Sequence, residues 1–126
     1  MTDTAHRAFF GDAERAFRLT GPMIIELERQ TGAGIGTIVK RLVAREFSIR
    51  EITETIRLAL IGGGTHPMDA LALVETYVLA RPLVEGQLLA VDILDRLWSG
   101  APAEPINHAA ATGDLAAALS DPEVRQ

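Results

Sequence analysis

Five segments of helical periodicity, separated by glycine and proline signals, constrain the fold of this chain more than any other feature. In the second segment, five apolar residues recur at i, i+3, i+4, i+7 and i+8, the spacing that places them on one helix face: Ile35, Ile38, Val39, Leu42 and Val43. Glycine-rich breaks lie at residues 31–34 and 62–64, and Pro82 and Gly100 mark two further boundaries. The pattern predicts a mainly α-helical fold, a bundle of about five helices.

Two helix starts carry recognisable capping residues. Thr20 supplies a capping hydroxyl shortly before Pro22, which presets the backbone of a first helical turn. Ser48 and Glu51 have the S-x-x-E spacing of a capping box. We therefore expect side-chain caps at the first and third helices.

The last two helices are richer in apolar residues than one helix face requires. The fourth, from about residue 65 to residue 80, has apolar residues on more than one face, which predicts a central position: Met68, Leu71, Leu73, Val74, Tyr77 and Val78. The fifth continues through Trp98 with a predicted stripe of Val84, Leu88, Val91, Leu94 and Trp98. This excess also suggests self-association into a homo-oligomer.

The N-terminal segment, residues 5–19, predicts a β-hairpin. Its strands flank a turn at Gly11, with Phe9 and Phe10 before the turn and Phe17 after it. A two-stranded hairpin is marginal alone in water, so its aromatic face must rest on the helices.

Residues 101–126 differ in composition from the rest of the chain. They are rich in Pro, Ala, Gly and Asp, with Leu115, Leu119 and Val124 as the sizeable apolar residues. We therefore expect residues 1–100 to form a single helical domain with its N-terminal hairpin, and residues 101–126 to form a flexible tail.

Composition argues against several classes of function. There is no cysteine among the 126 residues, which removes disulfides, thiolate nucleophiles and cysteine metal sites. The 17 acidic residues outnumber the 12 basic ones and no basic block occurs. This balance argues against binding to the phosphate backbone of nucleic acids. No apolar run approaches the length of a membrane span. We expect a cytoplasmic protein with neither nucleic acid nor membrane as partner.

Two glycine clusters resemble phosphate loops only superficially. The run from Gly32 to Gly36 follows a helical segment and not a buried strand, so a helix–helix turn is the better interpretation. Residues 62–64 are not followed by Lys-Ser or Lys-Thr, as a Walker loop requires, and they suggest a flexible joint.

Side chains able to do chemistry are scattered. His6, His66 and His108 lie far apart, without a second ligand at helical spacing beside any of them. Ser48 and Ser99 are explained by helix ends. We accordingly predict no enzyme, no catalytic, cofactor-binding or metal-ligating residue, and no cofactor.

A helix-turn-helix over residues 35–45 and 49–61 is a less favoured alternative. Its recognition helix would carry Arg50 and Arg57 together with two glutamates, Glu51 and Glu54, so the net charge of that helix would be zero. DNA readers need cationic side chains there to displace counterions.

Several short motifs follow one another in a fixed order over about residues 9–100. They are Phe10-Gly11-Asp12 with Glu14 and Phe17-Arg18-Leu19; Gly32-Ala33-Gly34-Ile35-Gly36; Glu51-Ile52 with residues 56–64; Pro67 with Ala70; and Tyr77-Val78 with Arg81-Pro82-Leu83. In this order they resemble the small tail assembly chaperone family of gene transfer agents and related tailed phages.

The resemblance implies a non-catalytic role in tail assembly. Members of that family are thought to accompany the tape-measure protein, keeping its long apolar helical surface from aggregating until tail-tube subunits polymerise around it. The implied partners are therefore a tape-measure-like protein and also tail-tube subunits. A structural virion component, such as a head–tail joining or tail-completion protein, is the alternative. Neither interpretation assigns a partner-binding residue.

Overall fold

The computed structural model describes residues 3–100, and the prediction for residues 101–126 lies outside them. An antiparallel hairpin, β1 (His6–Phe10) and β2 (Ala13–Phe17), pairs His6 with Phe17 and Phe10 with Ala13. The helices follow in the order α1 (Gly21–Thr31), α2 (Ile35–Ala44), α3 (Ile49–Gly62), α4 (Pro67–Val74) and α5 (Leu83–Ser99). A π-helical turn, Glu75–Leu79, extends α4. The predicted mainly helical fold with five helices and an N-terminal hairpin is confirmed.

The central element is α3, and the predicted central position of the fourth helix is wrong. Eight of the fourteen α3 residues are buried, and α3 contacts α1, α4, α5 and β2. The fourth helix buries only a narrow stripe, formed by Ala70, Val74 and Val78. Leu73 and Tyr77 are partly buried against the core, whereas Met68, Leu71 and Leu79 are exposed. The number of apolar residues on a helix does not determine which of its faces are covered.

The buried face of α5 also differs from the predicted stripe. Val91 and Leu94 are buried, but Val84, Leu88 and Trp98 are exposed. At Gly86, a methyl group would lie only 3.0 Å from Ile52 Cγ2 of α3. Gly86 lets α5 approach α3 closely on the buried face, which also includes Ile93 and Leu94, whereas Val84, Leu88 and Trp98 lie outside this face.

The two predicted caps have different outcomes. The capping box is present: the Glu51 N–H donates to Ser48 Oγ at 3.3 Å and the Ser48 N–H donates to Glu51 Oε1 at 2.9 Å. Glu51 is buried and also forms an ion pair with Arg41 at 3.0 Å. Thr20 occupies the N-cap position of α1, but its side chain makes no capping hydrogen bond. The Thr20 backbone is extended as a cap requires, so the proline-marked start is correct and only the hydroxyl contact is missing.

The glycines at the end of α3 hold the hairpin against the helices, which corrects their interpretation as a flexible joint. A Cβ atom at Gly62 would overlap the carbonyl oxygen of Arg18, and one at Gly63 would overlap that of Ala16. One turn earlier, Ala59 O accepts a hydrogen bond from the Arg18 N–H at 2.9 Å. Glycine is required here for close backbone packing.

Candidate partner-binding groove

The hairpin reaches the fourth helix through a cluster of aromatic rings. Phe10 packs edge-on against Phe17 at 5.6 Å between ring centroids and against Tyr77 of the π-helical turn at 5.8 Å. Gly11, with φ +71°, turns the chain directly over the Tyr77 ring, where a Cβ atom would overlap it. The hairpin therefore rests on the helices through its aromatic face, as predicted.

A groove opens beside this contact. A cleft of about 480 Å³ lies between the hairpin turn, the π-helical turn and the start of α5, where its walls include Phe9, Thr76, Tyr77, Arg81, Glu85 and Leu89. A second cleft of about 260 Å³ shares Thr76 and Tyr77 with the first and extends towards Arg15, Asp69 and Ala72. Together they form what we call the hairpin groove.

Exposed apolar side chains are frequent on the elements that form the hairpin groove. Phe9, on its edge, is 74% exposed, and Leu83, Val84 and Leu88 are exposed on the first turns of α5. Of the ten exposed large apolar residues between residues 3 and 100, seven lie in the fourth helix or α5. Clustered exposed apolar side chains of this kind are typical of protein-interaction surfaces.

Each of the two clefts has an arginine in its wall that forms an ion pair. Arg81 donates from Nε and Nη2 to the two carboxylate oxygens of Glu85 at 3.1 and 3.0 Å. These hydrogen bonds lower the pKa of Glu85 and raise the pKa of Arg81. At the hairpin turn, Arg15 Nη2 pairs with Asp12 Oδ1 at 3.1 Å. Both pairs lie at the surface, where ion pairs contribute little to stability, but they give the groove charged hydrogen-bonding groups.

The residues weighed for chemistry occupy structural positions. His6 lies in β1, whereas His66 caps α4 by accepting the Met68 N–H at Nδ1. His108 lies outside the described residues. Within residues 3–100 the structure groups no three His, Asp or Glu side chains that could hold a metal ion.

The glycine run from Gly32 to Gly36 contains the turn between α1 and α2, as predicted, and its last two residues begin α2. Gly32 ends α1 with φ +73°, and the Ile35 N–H at the start of α2 donates to Glu28 Oε2 at 2.8 Å. A carboxylate of the chain itself thus occupies the helix N-terminus where a bound phosphate would have to lie.

The helix that would read DNA in a helix-turn-helix is buried in this fold. The second helix of that motif would be α3, which is the central helix of the core. Arg57 is already paired with Glu54 at 2.6 Å, and Arg41 with Glu51.

Among residues 3–100, none of the helices combines the length and the hydropathy that a membrane-spanning helix needs.

Sequence reasoning assigned no partner-binding residue, and the structure shows why the groove was missed. Thr76 and Tyr77 belong to a π-helical turn, which cannot be predicted from the local sequence. Such turns occur frequently at functional sites. The detectable sign was the apolar excess of the last two helices, which the structure places at the surface.

Comparison with known families identifies a related family of tail proteins. A family model described as "Phage tail tube protein, GTA-gp10" matches residues 3–100. No curated protein and no solved structure matches the chain significantly. The match supports the resemblance to tail proteins of gene transfer agents and tailed phages, and with it a structural or assembly role in phage-like tails. The chain belongs to the GTA-gp10 family of phage tail proteins.

Proposed function

We propose that this protein is a non-catalytic tail assembly chaperone that binds the tape-measure protein during tail morphogenesis. The observation that carries the proposal is the hairpin groove, which is open to solvent and formed by elements that also carry exposed apolar side chains. Phe9 forms its outer edge and Leu88 lies on the neighbouring face of α5.

The physical argument concerns what such a surface can bind. An apolar stripe on a partner helix gains about 25 cal/mol for each Å² of apolar surface removed from water. Grooves between packed elements are a recurrent way of covering such stripes. The open hairpin groove suits reversible protection of an apolar helix until other tail proteins replace the chaperone.

A second candidate function is a structural component of the tail. It is favoured by the family description, which names a tail tube protein. In that role the exposed apolar residues of the fourth helix and α5 would be covered permanently by neighbouring subunits, as in obligate assemblies. Head–tail joining or tail completion belongs to the same structural class.

Co-expression tests the chaperone function. The tape-measure protein encoded with this chain should be recovered in the soluble fraction at a several-fold higher yield when the chain is co-expressed, and should co-purify with it. Phe9→Ser should reduce this effect. Ile25→Ser, which removes another strongly exposed apolar residue on α1 away from the groove, is the matched control and should not.

The composition of mature particles separates the two candidates. An assembly chaperone is absent from purified particles, whereas a structural component is present in stoichiometric amounts by mass spectrometry. Stoichiometric retention together with no gain in tape-measure solubility would replace the chaperone proposal with the structural one.

A further inference from the structure

The hairpin groove is continuous along one helix. Thr76 and Tyr77 line both clefts, so the clefts meet at the π-helical turn. Asp69 lies in the wall of one cleft and Arg81 in that of the other. The helical part of this wall runs from Asp69 to Leu79, which at about 1.5 Å per residue is about 15 Å, close to three helical turns.

The groove combines apolar walls with a polar middle. Phe9 and Leu89 contribute apolar surface to one cleft and Ala72 and Leu73 to the other. Between them lie the hydroxyl-bearing side chains of Thr76 and Tyr77. This arrangement accommodates a helix with one apolar face.

The charges beside the groove are mainly negative. Glu14 is the cross-strand partner of Phe9, Asp69 lines the second cleft, and Glu75 immediately precedes Thr76. All three are exposed, and within residues 3–100 none of them forms an ion pair.

The cations nearest the groove already have carboxylate neighbours. Arg15 and Arg81 pair with Asp12 and Glu85, and Asp3 pairs with Arg18 and also interacts electrostatically with Arg7. Six carboxylates therefore stand against four arginines on this surface, and Glu14, Asp69 and Glu75 give it a net negative charge.

We infer that the hairpin groove binds an amphipathic α-helix of about three turns whose apolar face is flanked by lysine or arginine. Apolar burial supplies the affinity, and the three carboxylates select basic flanks over acidic ones and orient the helix. The inference rests on the proposed function, since it specifies the kind of tape-measure segment that this surface recognises.

Two synthetic peptides of about 14 residues, long enough for about four turns, test the inference. Both have the same leucine face; one has lysine flanks and the other glutamate flanks, and circular dichroism establishes that they are equally helical. Calorimetry with the full chain should show that the lysine peptide binds at least about tenfold more tightly than the glutamate peptide. Its affinity should fall as the salt concentration is raised. Equal affinity of the two peptides would overturn the inference.

Variants of groove residues then test whether the peptide binds in the groove. Thr76→Arg puts a long cation at the junction of the two clefts and should weaken binding of the lysine peptide at least about tenfold. Asp69→Lys with Glu75→Lys should reverse the preference between the peptides, and Ile25→Ser should leave both affinities unchanged. Melting temperatures show whether each variant is folded. Should Thr76→Arg unfold the chain, Phe9→Ser serves in its place, and unchanged binding by a folded groove variant contradicts the assignment.

The two proposals fail in different ways. If the chain raises tape-measure solubility but does not distinguish the peptides, the inference is wrong and the chaperone function stands. If it prefers the lysine peptide but leaves the tape-measure protein insoluble, the groove binds basic amphipathic helices and its natural partner is another tail protein.

Discussion

At the scale of single residues, the glycines that end α3 determine how the hairpin is held. Gly63→Ala would force a methyl group against the carbonyl oxygen of Ala16, and neither backbone segment can move without separating β2 from α3. Overpacking of this kind costs typically about 1–3 kcal/mol. We expect urea denaturation to show a loss of that size.

Gly36→Ala provides the matched control for the glycine prediction. Gly36 lies in the first turn of α2 with open space around it. Alanine has the higher helix propensity, so this variant should be neutral or more stable by up to about 1 kcal/mol. Equal behaviour of the two variants would show that the hairpin is not held at Gly63.

A second residue-scale prediction concerns pH. Hydrogen bonds from Arg29, and then from Gln30, lower the pKa of the half-buried Glu26 carboxyl from 4.5 to about 2. A carboxylate whose pKa falls on folding stabilises the folded state above its unfolded pKa. That contribution is lost as the pH falls through the folded pKa. NMR titration should place the Glu26 midpoint near 2, and Arg29→Ala should raise it towards 4.5.

At the scale of elements, the two predicted helix caps give a paired test. Ser48→Ala removes the hydroxyl that accepts the Glu51 N–H, and loss of an N-cap of this kind costs about 1 kcal/mol. Thr20→Ala removes a hydroxyl that makes no capping hydrogen bond, so the free energy of unfolding should change little. A larger loss at Thr20 than at Ser48 would contradict the capping geometry.

The helix ends and the buried face of α2 could be predicted from sequence, but the buried faces of the fourth helix and α5 could not. Caps and breakers act locally, and Ser48, Gly32 and Pro82 lie where their local chemistry requires. Burial depends on distant neighbours. The face of α5 that contains Gly86 packs against Ile52, and Leu88 is exposed. This face could be predicted only by knowing which helix lies opposite α5.

The hairpin groove was beyond sequence reasoning for the same reason. Phe9 belongs to the hairpin, Tyr77 to the π-helical turn and Leu89 to α5, so its walls come from three elements that meet only in the folded chain. Sequence periodicity detected surplus apolar residues in the last two helices and assigned those of the fourth to a central position. The structure shows the opposite use, with Met68, Leu71 and Leu79 exposed.

At the scale of the whole molecule, the family match and the apolar core extend over nearly the same residues. The match covers residues 3–100, and the core cluster runs from Phe10 to Leu94, with Leu97 packed against it. The hairpin groove also lies within this part of the chain. Folding and partner binding are therefore both expected to reside in residues 1–100.

Removal of residues 101–126 tests that expectation. Leu115, Leu119 and Val124 would each contribute about 1.5–3 kcal/mol if fully buried, against about 1–2 kcal/mol of backbone entropy for every residue ordered. Three side chains cannot offset that cost, so a chain ending at Gly100 should keep the melting temperature of the full chain. It should also retain at least part of its effect on tape-measure solubility, because it keeps the groove. A large fall in melting temperature would show that the removed residues contribute to the core, whereas an unchanged melting temperature with complete loss of partner solubility would locate the binding determinant in the removed segment.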